Sequence, residues 1–519
     1  MKRLMALVAT IFVSTQAAIA QDAEMTFSEK VNEIMLPVSQ FISDIVFYGA
    51  PMDWLIPGAP AMPLIAVWLV GGAVFFTFYM GFPNIRGFKQ SIRIVKGTYD
   101  DPNDPGEVTH FQALSAAVSG TVGLGNIAGV AIAVSIGGPG ATFWMILAGL
   151  FGMTSKFVEC TLGVKYREID ENGVVSGGPM HYLTKGLANR GLPNLGKILA
   201  VAAALICIGG AYGAGAMFQV NQSATQFTNE IAALTGGTDS FFYGKSWLFG
   251  IVFAAVVGMV IIGGIRKITH VTEFLVPIMA IIYVSASLVI ILGHVDQIPS
   301  AIMQIFDGAF TADGVEGGII GVLIQGLRRA SFSNEAGLGS ASIAHAAAKT
   351  KEPVSEGLVA LLEPFIDTVV ICTITALVII LTGSFDATAS GTEAGIALTS
   401  KAFATVIDWF PYVLTVAVIM FAFSTSLTWF YYGQRSFLWL VGDKPNADLL
   451  FKMSYLLVLV IGSAMSLGPV MDIADALLLA MGIPNILGLF LLRKEVRGMM
   501  DDYFARLKSG AIKPYVEGE

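Results

Sequence analysis

The segment Val118-Ser119-Gly120-Thr121-Val122-Gly123-Leu124-Gly125-Asn126-Ile127-Ala128-Gly129 sets glycines and small polar residues inside an apolar run. That density of glycine invites a helix to unwind and bare its amide and carbonyl groups. At membrane depth such groups cannot face lipid; they must meet protein or a bound solute. A second stretch, Gln325-Gly326-Leu327-Arg328-Arg329-Ala330-Ser331-Phe332-Ser333-Asn334-Glu335-Ala336-Gly337-Leu338-Gly339-Ser340, has the same character and more charge. A broken helix offers two kinds of chemistry. The N-terminus of one half presents unpaired N–H groups and a positive dipole end, which suit a carboxylate. The C-terminus of the other presents carbonyl oxygens, which suit an ammonium group or a small hard cation such as Na⁺. A zwitterionic amino acid with a co-transported cation satisfies both ends. The competing reading is that these glycines serve only close helix packing.

The elements that must hold these residues are membrane-spanning helices. The chain is 55% hydrophobic and 13% charged, against about 25% charged in an ordinary soluble domain, and its mean hydropathy is +0.71. Taking about 20 apolar residues per span, the sequence predicts eleven, near 61–83, 111–134, 140–163, 197–229, 247–264, 271–293, 315–346, 357–383, 410–440, 450–467 and 471–492. Ahead of them, residues 1–20 read as a signal peptide: Lys2 and Arg3, an apolar run from Leu4 to Val13, then Ala18-Ile19-Ala20. The alternative is an uncleaved first helix. Residues 21–60 are then a periplasmic segment and 493–519 a cytoplasmic tail.

Charge placement tests this topology, because inner loops collect Lys and Arg. With residue 21 outside, the inner side receives Arg86 to Lys96, Lys165 to Lys197, Arg266 and Lys267, Lys349 and Lys351, Arg435 to Lys452, and the tail. The outer loops keep Lys30, Lys245 and Lys401. This bias predicts a multi-pass inner-membrane protein with its mature N-terminus outside and its C-terminus in the cytoplasm.

Setting aside 61–83, the two interrupted spans are the first and sixth of ten. Five spans per half is an odd number, so the halves (111–293 and 315–492) insert with opposite orientation. Paired interruptions in an inverted repeat point to a secondary transporter with a midplane site. Charges at that depth are costly and usually pair or line a water path. Arg328, Arg329 and Glu335 are therefore gate or ion-pair candidates, with each other or with Glu363 or Asp367. Asp367, inside the apolar run Phe365 to Leu381, is also a candidate for proton coupling.

Three motifs carry a family resemblance: Gly123-Leu124-Gly125-Asn126-Ile127-Ala128-Gly129-Val130-Ala131, Gly137-Gly138-Pro139-Gly140-Ala141, and Phe332-Ser333-Asn334-Glu335-Ala336-Gly337-Leu338-Gly339-Ser340-Ala341, with Gly177-Gly178-Pro179-Met180 between them. From about Phe82 to Arg497 the chain resembles the alanine or glycine:cation symporters of the amino acid/polyamine/organocation superfamily. The resemblance implies an all-α integral membrane protein of the leucine-transporter type, a five-plus-five inverted repeat with one extra N-terminal helix. It implies that Gly123, Gly125 and Asn126 meet a substrate carboxylate, with Ser119 and Thr121 beside the amine and cation. It also implies a wall of Phe218, Gln219 and Asn221, closed by Gly326 and Ser331. Sodium in this fold lies between the first and eighth core helices, where Ser424 and Thr425 would give hydroxyls and Ser119, Val122 and Phe421 carbonyls. About five oxygens without a carboxylate suit a monovalent ion; divalent cations usually recruit Asp or Glu. The competing role for such hydroxyls is a bond to the carbonyl four residues back. Two departures stand out: Gln325 replaces an aromatic residue and Ser342 a proline. Gln325 at the pocket would widen or re-specify the side-chain preference.

Other signals fail. Gly244-Lys245-Ser246 lacks the glycine of a phosphate-binding loop where Asp239 stands. The five histidines have no metal-ligand spacing, and three cysteines give no disulfide framework. No catalytic set, nucleic-acid patch or cofactor motif emerges. The expectation is a non-enzymatic, cofactor-free secondary transporter, functional as a monomer in lipid, that couples Na⁺ influx to uptake of a small neutral amino acid of alanine or glycine type. The alternatives are a sodium-dependent symporter of glutamine or another polar amino acid, and an ion channel.

Overall fold

The computed structural model describes residues 25–51, 61–311, 318–385 and 395–515. The expected signal segment lies outside these residues. Fourteen helices matter to the site: α1 Phe27–Val46, α2 Leu64–Met80, α3 His110–Thr121, α4 Val130–Gly137 and α5 Gly140–Lys165; α6 Pro193–Leu234, α7 Ser246–Ile261 and α8 Gly264–Gly293; α9 Gly318–Asn334 and α10 Ala341–His345; and α11 Pro353–Leu381, α12 Phe410–Val441, α13 Pro445–Ala464 and α14 Leu467–Ser509. Strand content among the described residues is two small hairpins, Gly49–Ala50 with Met62–Pro63 and Glu168–Ile169 with Val175–Ser176.

Each expected span coincides with one of these helices or with a helix pair. By length and apolarity, however, seven helices among the described residues can cross a membrane, or eight when α3 and the segment through α4 count as one bent span. The shorter total has a physical origin. α2 and α7 are apolar but brief, and α9 carries two arginines within 17 residues. The N-terminal segment is not featureless either. Thr26 and Glu29 form a capping box that starts α1, and α1 docks on α14, where Asn32 Oδ1 accepts from Ser466 N–H at 2.7 Å and from its hydroxyl at 2.8 Å. At the other end, α14 continues beyond the expected 492 to Ser509.

Helices in lipid gain little from the hydrophobic effect and associate through close packing at small residues. α9 lies on α5 in this way. A methyl group at Gly326 would sit 2.6 Å from the Ala141 carbonyl oxygen and 2.6 Å from Trp144 Cβ, so this glycine is what lets the two backbones meet. α12 is the most enclosed of the long helices, together with α14. It packs on α3, α6, α8 and α13, and the oxygens and breaks of the site converge on it.

Candidate functional site

α3 starts at a capping box formed by Thr109 and Gln112. It stops where Val122 adopts ψ 87°, and the chain resumes as a π-helical turn, Gly125–Gly129, leading into α4. The two arms are bent by 49°. The N–H groups freed by the break are met by side-chain amides: Gly123 N–H donates to Asn126 Oδ1 at 2.9 Å and Leu124 N–H to Gln219 Oε1 at 3.1 Å. Asn126 Nδ2 donates in turn to Asp367 Oδ1 at 2.5 Å. Asp367 lies in a π-helical stretch of α11, Phe365–Cys372, where its other oxygen accepts from Ser333 Oγ at 2.8 Å and Thr368 Oγ1 at 2.7 Å. One fully buried carboxylate thus draws donors from the first break, from α9 and from its own helix.

The hydroxyls of α12 close on the same break. Thr425 Oγ1 donates to the Ser119 carbonyl at 2.8 Å, and Thr428 Oγ1 contacts the Ala116 carbonyl at 3.1 Å and Ser119 Oγ at 3.3 Å. Ser424 turns toward α8, bonding the Phe421 carbonyl at 3.0 Å with Met279 Sδ at 3.7 Å. Val122 is buried and donates its N–H to the Val118 carbonyl at 2.6 Å. Thr121 bonds back onto its own helix, 3.3 Å from the Val118 carbonyl. Gly123 is pressed against this cluster: a Cβ there would lie 2.4 Å from Thr425 Oγ1 and 3.1 Å from Gln219 Oε1. The amide end of the break and the hydroxyl end therefore touch through a residue that has no side chain.

The remaining expected residues divide. Phe218 stacks edge-on to Phe332, with ring centroids 5.1 Å apart, and a Cβ at Gly125 would meet the Phe332 ring at 3.3 Å. Phe332 and Ser333 are thus the α9 residues at the first break. Gln325 is half-buried against Gly137, at the far end of α4, and Gly326 serves the α5 contact. Ser331 is buried within unbroken helix, its carbonyl accepting from Glu335 N–H at 3.2 Å. Asn221 binds the Gly462 and Met465 carbonyls at the end of α13, at 3.1 and 2.6 Å.

The second interruption falls at the C-terminal end of the expected stretch, overlapping Ser331 to Gly339, and leaves out Gly326, where a break was also expected. α9 runs through Gly326 and Ser331 to Asn334, and the break occupies Glu335 to Ser340, with left-handed backbone at Glu335 (φ 55°), Gly337 (φ 82°) and Gly339 (φ 86°). A non-glycine residue pays for that conformation. Glu335 is held there by Ser340 Oγ, which donates at 2.5 Å, and by Trp429 Nε1 of α12 at 3.0 Å. Arg328 and Arg329 do not reach Glu335, Glu363 or Asp367. Both pair with buried Asp475 of α14, Arg328 Nε at 2.7 Å, and the Arg328 guanidinium also sits 4.1 Å over the Phe47 ring. An arginine pair is better neutralised by a carboxylate beside it on another helix than by one beyond the helix end.

Below the breaks lies a second polar system that spacing along the sequence did not reveal. Lys156, fully buried in α5, donates to Glu363 Oε2 at 3.1 Å. Glu363 Oε1 lies 2.5 Å from His345 Nε2; His345 Nδ1 pairs with Glu356, and Glu356 with His110 Nδ1. Cys160 approaches His345 and Glu363, but both imidazole nitrogens already face carboxylates and Lys156 neutralises Glu363, so no free nitrogen lone pair is offered to a metal. Glu159 bonds Gly339 N–H and Asn485 Nδ2, each at 3.0 Å, joining the second break to α14.

A model of the sodium:alanine symporter family matches residues 55–517. The chain belongs to this family. Among its relatives, the sodium/alanine symporter AgcS of Methanococcus maripaludis is 40% identical over 431 residues, covering 83% of this chain and 92% of the relative. The probable sodium/glutamine symporter GlnT of Bacillus subtilis is 33% identical over 449 residues, covering 86% and 89%. Among solved structures, MhsT in complex with L-phenylalanine superposes with a TM-score of 0.54 at 14% identity, over 75% of this chain and 89% of that one. The symporter thus has the leucine-transporter-type fold, and it is a multi-pass membrane protein. Phe332 and Ser333 lie inside a motif that the sequence already singled out, and Thr428 lies about one turn beyond the expected Ser424 and Thr425; Thr368 and Lys156 carried no such signal.

Proposed function

We propose that this symporter couples inward Na⁺ flow to uptake of a small neutral amino acid of alanine or glycine type, by alternating access. The observation that carries the reading is the contact of Gly123 with Thr425, which puts the bared N–H groups of the break against the hydroxyl bound to the Ser119 carbonyl. A substrate carboxylate arriving at the break competes with the amide oxygens of Asn126 and Gln219 for the Gly123 and Leu124 N–H groups. Sodium is served by the Ser119, Val122 and Phe421 carbonyls with the Thr425 and Ser424 hydroxyls. The carboxylate of a zwitterion and Na⁺ are then neighbours of opposite charge. Each raises the affinity for the other by the same factor.

In this reading the carrier sits in the inner membrane as a functional monomer, its mature N-terminus outside and its basic loops in the cytoplasm. No cofactor takes part. The test is counterflow in proteoliposomes with labelled alanine, glycine, serine and glutamine, with and without Na⁺. Sodium-dependent exchange of alanine or glycine is expected. Absence of sodium dependence for every solute would overturn the assignment.

A further inference from the structure

α11 carries Glu356, Glu363 and Asp367, seven and four residues apart, all fully buried. That spacing makes one stripe on a helix. Eleven residues rise about 16 Å, roughly half the hydrocarbon thickness. The stripe is interleaved with groups from three other helices: His110 of α3 and His345 of α10 flank Glu356, and His345 and Lys156 of α5 flank Glu363. Its outer rung is Asp367, hydrogen-bonded to the first break. Its lower end reaches Asp100, 4.0 Å from His110 Nε2 and 31% exposed, in the loop before α3. Burial pushes the Asp100 carboxyl up from its ordinary value, with His110 opposing.

Geometry confines the protons of this ladder to a few arrangements. Ionised carboxylates only accept hydrogen bonds, and a neutral imidazole donates from one nitrogen. His345 faces a carboxylate at each nitrogen, so either it is the imidazolium or one flanking glutamate holds the proton. Moving that proton once from Glu356 through His345 to Glu363 needs no side-chain rotation; it leaves the imidazole in its other tautomer, and a ring flip of His345 restores the starting tautomer before the next transfer. Chains of Asp, Glu and His within a membrane are the usual material of proton relays. Between Glu363 and Asp367 lies one helical turn, and the Lys156 ammonium interacts electrostatically with both. The other ionisable groups facing the ladder are Glu159 and Cys160 of α5, Glu335 at the second break, Cys372 beside Asp367, Tyr432 of α12, and Arg167 with Asp104 at the inner end.

We propose that this ladder delivers a proton from the inner aqueous phase to Asp367 when Na⁺ and amino acid leave, so that the carrier exports a proton in exchange for its cargo. The proposal rests on the sodium-symport reading above. A buried carboxylate beside a site vacated by two positive groups, Na⁺ and the ammonium, is costly unless a third replaces them. In each cycle one proton leaves inner water at Asp100–His110 and passes through Glu356, His345 and Glu363–Lys156. An O–H bond then forms on Asp367. When Na⁺ and amino acid bind from outside, their charge expels the proton and the O–H bond breaks to the outer mouth. No group in the chain keeps or loses a proton over the cycle.

The test uses the full-length protein in proteoliposomes loaded with a lumenal pH dye and voltage-clamped with valinomycin and K⁺. An inward Na⁺ gradient is imposed and labelled alanine is counted in the same vesicles. The lumen should become more alkaline in step with alanine entry, whichever way each carrier is inserted, and not when either solute is omitted. Sodium-dependent uptake with no pH change, or with acidification, overturns the proposal; no sodium-dependent uptake would instead refute the symport reading. In His345→Gln the alkalinisation should be lost while alanine exchange with equal Na⁺ and alanine on both sides persists, since exchange never returns an empty site. Persistence of the pH signal in that variant overturns the route. If His345→Gln does not fold, His110→Gln, at the aqueous end, is read in the same way.

Discussion

Gly123→Ala isolates the contact on which the site depends. The added Cβ would stand 2.4 Å from Thr425 Oγ1, 3.1 Å from Gln219 Oε1 and 3.3 Å from Thr425 Cβ, the first well inside van der Waals contact. Thr425 must turn away, or the break must shift off α12. Forced repacking of this kind costs about 1–3 kcal/mol, and loss of the Thr425–Ser119 hydrogen bond adds ~1 kcal/mol. Both terms fall on the oxygens assigned to sodium. At 1.4 kcal/mol per factor of ten, these terms together raise the Na⁺ concentration for half-maximal alanine uptake by about 30- to 700-fold. Uptake in proteoliposomes across a series of Na⁺ concentrations reads this directly. Gly129→Ala is the control, because an added Cβ would meet only the Leu124 carbonyl oxygen, at 3.9 Å; it should leave the Na⁺ dependence unchanged. In a Thr425→Ala background the worst contact disappears, so alanine at position 123 should then cost much less, a non-additivity of about 1 kcal/mol or more. Wild-type sodium dependence in Gly123→Ala, or strict additivity of the two changes, would refute the reasoning.

Asp475→Asn leaves Arg329 buried without its counter-charge; the melting temperature in detergent should fall by an amount corresponding to about 3–5 kcal/mol. Trp429→Phe keeps an aromatic ring against Gly210 and Gly215 but removes the donor to Glu335. It should cost about 1–3 kcal/mol in the same melting assay. Glu352→Gln, which breaks a pair with Arg506 in which both side chains are more than a third exposed, should change stability by less than about 1 kcal/mol. The Lys185 hydrogen bond holds the Glu168 carboxyl below its ordinary value, burial opposing. Its small contribution is complete above that ordinary value and vanishes as pH falls through the lowered one. Melting curves of the wild type and Lys185→Gln should therefore converge at acidic pH and differ slightly at neutral pH.

Helix positions were legible because apolar runs of bilayer length have few other solutions, and the first break because Gly123 and Gly125 sit together in one of them. The second was legible in part: the stretch from Ser331 to Gly339 does hold an interruption, while Gly326, also read as a break, lies in continuous helix. Gly326 stands out in sequence as Gly123 does, yet one glycine admits a neighbouring backbone and the other a neighbouring hydroxyl. The true interruption begins at Glu335, whose left-handed backbone is paid for by Trp429, 94 residues away. Asp475, 146 residues from Arg329, could not be named as its partner from periodicity. The carboxylate stripe on α11 could be counted in the sequence. What could not be seen was that histidines and a lysine from three other helices would fill its gaps.

The π-helical turns have a mechanical consequence. Such a turn holds one residue more than an α turn, and two of them, Gly125–Gly129 and Phe365–Cys372, pack against each other beside Asn126 and Asp367. Drawing one back to α geometry slides the rest of that helix by about 1.5 Å and rotates it by roughly 100°, without uncovering a main-chain polar group to lipid. The pair has the geometry of a two-position detent. Register in either helix can slip by one notch, carrying a carboxamide or a carboxylate into or out of the site, while the span as a whole stays anchored at both faces of the bilayer.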